Sequence, residues 1–103
     1  MSLSTHVLDT SIGAPVPELP VRLDVRTGDG WRPVADDHTD EDGRIGDLPT
    51  NAGVYRLVFD TSGYLSEAFY PEVVVVFRVS SADEHYHVPL LLSPFGYTTY
   101  RGS

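Results

Sequence analysis

Cysteine is absent from the 103 residues, which excludes disulfides, thiolate metal sites and a cysteine nucleophile together and leaves no clue to redox compartment. Any catalysis has to run on His, Arg, Tyr, Ser or carboxylates. Positive charge is scarce: seven Lys plus Arg stand against fifteen Asp plus Glu, a formal charge of −8. A field of that sign repels phosphate backbones and anionic lipid and argues against nucleic-acid and membrane partners. Long apolar runs are also missing. The longest, Val73 to Phe77, falls far short of the roughly 20 residues a membrane helix requires. The chain begins Met1-Ser2-Leu3-Ser4-Thr5-His6 without a basic stretch followed by an apolar one, so the expected location is cytoplasmic. No Gly-x-Ser-x-Gly elbow is present, which weakens a nucleophilic-serine reading.

What remains is ordinary for a folded domain, with 41% hydrophobic and 21% charged residues. The length fits a single domain, 1–103. Short β-rich segments recur between turn signals, the pattern of an all-β sandwich or barrel. About eight strands are expected on that pattern. They cover Ser4 to Asp9, Pro20 to Thr27, Trp31 to Ala35, Arg44 to Leu48, Val54 to Asp60, Glu72 to Val79, His85 to Ser93 and Tyr97 to Arg101. In the second, Val21, Leu23 and Val25 alternate with Arg22, Asp24 and Arg26, which predicts one buried and one wet face. Gly28-Asp29-Gly30 reads as a hairpin turn. Ser62 to Tyr70 is the one short helix expected: Ser62 can cap it, Leu65 and Phe69 share a face, and Pro71 stops it. Glu72 to Val79, nearly all Val and Phe, predicts a central strand covered on one side by the partner sheet and on the other by the helix or another subunit.

Strand alternation puts His85, His87, Pro89 and Leu91 on one face and sends Tyr86, Val88, Leu90 and Leu92 to the core. Two imidazoles mixed with Pro and Leu suit a cleft or an interface. His6 shares a face of the first strand with Leu8, opposite Thr5 and Val7, and a neutral imidazole there is a candidate base. The blander alternative is a surface histidine bonded to a neighbouring strand. Arg44 follows Asp40-Glu41-Asp42-Gly43; its guanidinium either clamps a urea-like or carboxylate-like ligand or closes the turn by pairing with the adjacent acids. The acidic loop is not a calcium loop: with Gly43 at the sixth position, His38 and Pro49 occupy places that require Asp and Glu. Zinc on His85 and His87, with His6 as a third ligand, is the metal alternative, although no carboxylate is clearly placed to orient those rings.

The sequence resembles the transthyretin-related 5-hydroxyisourate hydrolases. The resemblance is carried by Leu3-Ser4-Thr5-His6-Val7-Leu8-Asp9-Thr10 with Gly13 and Pro15, by Thr39 to Gly46, by His85 to Tyr97, and by the terminal Tyr100-Arg101-Gly102-Ser103. It covers essentially the whole chain. The last four residues are its most specific part, because hormone-carrying transthyretins lack them. The resemblance implies a transthyretin-like two-sheet β-sandwich and hydrolysis of 5-hydroxyisourate during urate breakdown without a cofactor. It also implies a homotetramer, a dimer of dimers with sites along a central channel. The implied catalytic set is His6, Arg44, His87 and Ser103, with Tyr100 and Arg101 joining His6 and Arg44 in substrate binding. Which histidine is the base stays open. Two rival functions remain: a transthyretin-like carrier that holds a small aromatic ligand without turning it over, and an Ig-like adhesion module. Two histidines and an arginine facing a channel weigh against both.

Overall fold

A computed structural model describes residues 2–103. Ten strands build two facing sheets: β1 (Ser2–Asp9), β2 (Ala14–Pro15), β3 (Pro20–Thr27), β4 (Gly30–His38), β5 (Arg44–Pro49), β6 (Gly53–Asp60), β7 (Glu72–Val79), β8 (His85–His87), β9 (Leu90–Ser93) and β10 (Gly96–Thr99). One sheet runs β4-β3-β6-β7. The other is organised around β1, which pairs in parallel with β8 and β9 and antiparallel with β5 and β2; β10 extends it beyond β9. The four-stranded and six-stranded sheets make the all-β two-sheet sandwich expected from the sequence.

The core lies between the sheets. Leu3, Val7, Leu90 and Leu92 face Leu23, Leu57, Phe59 and Val73, all at most 1% exposed. Burying each such side chain contributes roughly 1.5–3 kcal/mol. That weight fixes the register of β1, because a slip of one residue would drive His6 into the core and expose Leu3 and Val7.

Several expectations are corrected. Ser62 to Tyr70 forms successive turns, and no helix occurs among the described residues. Leu65 N–H reaches the Thr61 carbonyl, but Phe69 N–H turns to Pro94. A two-turn segment with Gly63 near its start is too short to offset helix nucleation by itself. Tyr64, rather than Leu65 and Phe69 together, anchors it: its hydroxyl donates to Asp9 Oδ2 at 2.6 Å, and Phe69 is left 66% exposed. The expected strand His85 to Ser93 breaks at Val88 and Pro89, since proline has no N–H for the ladder. Pro89 is buried and not on the open face, while Tyr86, Val88, Leu90 and Leu92 fill the core as expected. β7 is an edge strand and not a central one, with Val74 and Val76 in solvent.

The supposed wet face of β3 also hides a charge. Asp24 is 1% exposed and accepts from Arg22 Nε at 2.9 Å and Arg56 Nε at 2.7 Å, and the Arg56 guanidinium lies over the Trp31 ring.

Candidate active site

β1 carries Ser2, Ser4, His6 and Leu8 on the face turned away from the core. Its neighbours complete a strip of polar groups along that face. On one side β8 sets His85 beside Ser2 and His87 beside Ser4; on the other β5 sets Arg44 beside His6. Sequence-distant residues are therefore collected by strand pairing alone.

A bulge decides that Arg44 belongs to this face. Leu3 pairs with Leu48, but Thr5 pairs with Ile45, so β5 spends one residue more than β1 over that interval. Asp47, in the left-handed region at φ 56°, lies within it. Without the extra residue His6 would meet Ile45; with it, Ile45 goes to the core and Arg44 stands opposite His6.

The turn before Arg44 is equally constrained. Asp40 Oδ1 accepts from the backbone N–H groups of Asp42 and Arg44, which hold its carboxyl below the usual range. Gly43 adopts φ +76° and its carbonyl accepts from Val7 N–H at 2.8 Å. A β-carbon there would meet the Val7 oxygen at 2.5 Å, so only glycine lets the turn lie this close to β1. The turn is closed by backbone bonds to Asp40, and the Arg44 guanidinium enters none of the ion pairs among the described residues.

Each imidazole has a defined anchor. His6 Nε2 lies 2.9 Å from the Asp42 carbonyl. A carbonyl only accepts, so Nε2 carries the proton and Nδ1 is the free nitrogen. His87 Nδ1 lies 2.8 Å from Ser4 Oγ, and the ring is half-buried. Burial, followed by the nearby charges of Arg44 and His6, lowers the His87 pKa below the ordinary histidine value. These causes favour the neutral form of His87. His6, Leu8, Pro15, Asp42 and Arg44 line a shallow hollow at this end of the strip.

The chain end divides. Gly102 N–H donates to the His87 carbonyl at 2.8 Å and forms a β-bridge with that residue. Arg101 turns the other way, its guanidinium 4.7 Å from the centre of the Tyr86 ring. Tyr100 and Arg101 line a cleft against β7 with Phe77 and Val88, and Ser103 is exposed. Within one chain, His6, Arg44 and His87 thus come together, whereas Tyr100 and Arg101 do not join them. Sequence reasoning missed Ser2 and Ser4 as partners of the histidines; their recurrence in two-residue steps leading to His6 was the available signal. Among the described residues no three His, Asp or Glu side chains gather closely enough to hold a metal ion.

Residues 3–102 match the HIUase/Transthyretin family. A 5-hydroxyisourate hydrolase from Salmonella typhimurium is 47% identical over 109 residues, covering 98% of this chain and 80% of the relative. One from Mus musculus is 44% identical, covering 98% and 94%. Among solved structures, 5-hydroxyisourate hydrolase from Klebsiella pneumoniae superposes with a TM-score of 0.86 at 34% identity, covering 99% of this chain and 98% of that one. Sea bream transthyretin in complex with thyroxine superposes with 0.90 at 36%, covering 97% and 93%. Shape alone therefore does not separate hydrolase from carrier, and the groups on the sheet face have to.

Proposed function

The chain belongs to the HIUase/transthyretin family, and we propose that it acts there as a hydrolase that opens the ring of 5-hydroxyisourate in urate degradation. The observation that carries this reading is a half-buried imidazole, His87, on the same open face as an arginine, Arg44, that enters no ion pair among the described residues. A site for an apolar hormone needs few ionisable groups, and this strip has three imidazoles and a guanidinium.

The substrate is a strained, electron-poor bicyclic ureide. His87 takes a proton from water through Nε2 as oxygen adds to a ring carbonyl. The resulting oxyanion lies against the planar donor fork of Arg44, which matches a ureide edge. On collapse the carbon–nitrogen bond breaks, and the departing nitrogen recovers the proton from the His87 imidazolium. His6 offers Nδ1 to a ring N–H and so fixes the substrate's orientation. These steps call for neither a metal nor an organic cofactor.

The assembly we propose is a homotetramer, a dimer of dimers, in which Tyr100, Arg101 and Ser103 complete a site that faces a central channel. Its support is the pair of unpaired sheet edges, β7 and β10, flanking an apolar cleft, with Val74 and Val76 in solvent. The test of function is the absorbance decay of freshly generated 5-hydroxyisourate. Acceleration over the spontaneous rate is expected; unaccelerated decay together with tight binding of a flat aromatic ligand would make the protein a carrier.

A further inference from the structure

His85 has no place in the chemistry above, yet it is tied into the same strip. Ser2 Oγ lies 2.7 Å from His85 Nδ1, Ser4 Oγ lies 3.0 Å from His85 Nε2, and Ser4 Oγ also lies 2.8 Å from His87 Nδ1. The parallel pairing of β1 with β8 puts each serine beside its histidine. The result is an unbroken line: Ser2, His85, Ser4, His87.

The Ser4 hydroxyl has a single proton and two imidazole nitrogens on it. It donates to one, and the other must bring its own N–H. Two arrangements satisfy the line. In the first, Ser4 donates to His87 Nδ1, His85 donates from Nε2, and His87 is left with N–H at Nε2, so no lone pair faces the substrate. In the second, His87 donates from Nδ1 to Ser4, Ser4 donates to His85 Nε2, and His85 donates from Nδ1 to Ser2; His87 Nε2 is then a bare lone pair. A neutral histidine without partners prefers N–H at Nε2, so the second arrangement has to be imposed. The positive charge of Arg44, on the same sheet face with β1 between them, favours it, since a nearby cation disfavours a second N–H on the exposed side of the ring.

We propose that His85 is a positioning residue that, by accepting the Ser4 proton at Nε2 and donating to Ser2 from Nδ1, holds His87 in the tautomer that can act as a base. This rests on His87 being the base in the proposed reaction. No proton travels along the line in this scheme. When His87 gains a proton at Nε2, its Nδ1–H bond to Ser4 stays in place, and the charge is stabilised where it forms.

The test is imidazole nitrogen NMR on uniformly 15N-labelled protein, at a pH where His87 is neutral, for wild type, His85→Leu and His85→Gln. His85 is exposed, so neither change should disturb the core. Wild type should show His87 with N–H at Nδ1. In His85→Leu the Ser4 proton is free to turn to His87, and N–H should move to Nε2. His85→Gln restores an acceptor for Ser4 and should restore the wild-type tautomer. In parallel, kcat should fall about tenfold in the leucine variant, a part of the roughly 10²–10⁴-fold that a general base supplies, with little change in KM. The glutamine variant should recover most of it. A wild-type His87 with N–H at Nε2, or a tautomer unmoved by His85→Leu, would overturn the proposal. The NMR readout needs no substrate, so it stands or falls separately from the assignment of the reaction.

Discussion

Gly102 lies against the imidazole of His87 so closely that a β-carbon at position 102 would sit 2.6 Å from Cδ2. The chain end therefore does two things to that ring: it removes part of its water, and it closes one side of the space in which the ring can turn. Gly102→Ala has to displace either the tail or the imidazole. Misplacement of a catalytic group by about 1 Å costs roughly 10²-fold in rate. We expect a loss in kcat of that order with an unchanged melting temperature, measured by substrate decay and by calorimetry.

The lowered pKa of His87 predicts a pH profile. A base must be unprotonated, and burial together with the charges of Arg44 and His6 keeps this one so down to a pH below the ordinary histidine value of about 6.5. The acid limb of kcat/KM should fall below that value. Arg44→Met removes one of the opposing charges and should shift the limb to higher pH.

Arg44→Lys should impair hydrolysis nearly as much as Arg44→Ala. Lysine keeps the charge and loses the planar fork, which is what matches two atoms of a ureide edge. Steady-state kinetics on the two variants decides between them, and full activity in the lysine variant would reduce the role of Arg44 to charge.

Asp24 should matter for stability and not for turnover, because it lies on the other sheet. Burial would raise its pKa, but hydrogen bonds from Arg22 and Arg56 outweigh that and hold the carboxyl below its ordinary value. Its stabilising effect is therefore complete above the unfolded value near pH 4 and is lost as pH falls through the lower folded value. Asp24→Asn should cost about 3 kcal/mol at neutral pH, the low end for a broken buried pair, since both arginines remain partly in water. Denaturant melts should show the gap to wild type closing in acid.

How much of this was legible in the sequence varied with the range of the cause. Period-two alternation named Tyr86, Val88, Leu90 and Leu92 as core and set His6 on the face opposite Thr5 and Val7, but it put Pro89 on the open face, where it is not. Alternation failed at Asp24, whose cover comes from Arg56 on a neighbouring strand and from the Arg56–Trp31 stack, none of which a single strand's pattern contains. It failed at Ser62 to Tyr70 because the bond that anchors this segment runs to Asp9, fifty-five residues away. Arg44 was a candidate only through its turn. That it stands opposite His6 depends on a bulge at Asp47, which one sequence does not announce. The outward turn of Arg101 onto Tyr86 was likewise invisible, being a contact between the chain end and a side chain of β8.

The central claim is that His87 is the base for opening 5-hydroxyisourate. The most direct measurement is the decay of freshly generated substrate with His87→Asn beside wild type, each matched for folding by its melting curve. The account predicts that wild type accelerates decay and that the asparagine variant loses roughly 10²–10⁴-fold in kcat/KM while melting as wild type does. Near-native turnover by a folded His87→Asn protein would contradict it.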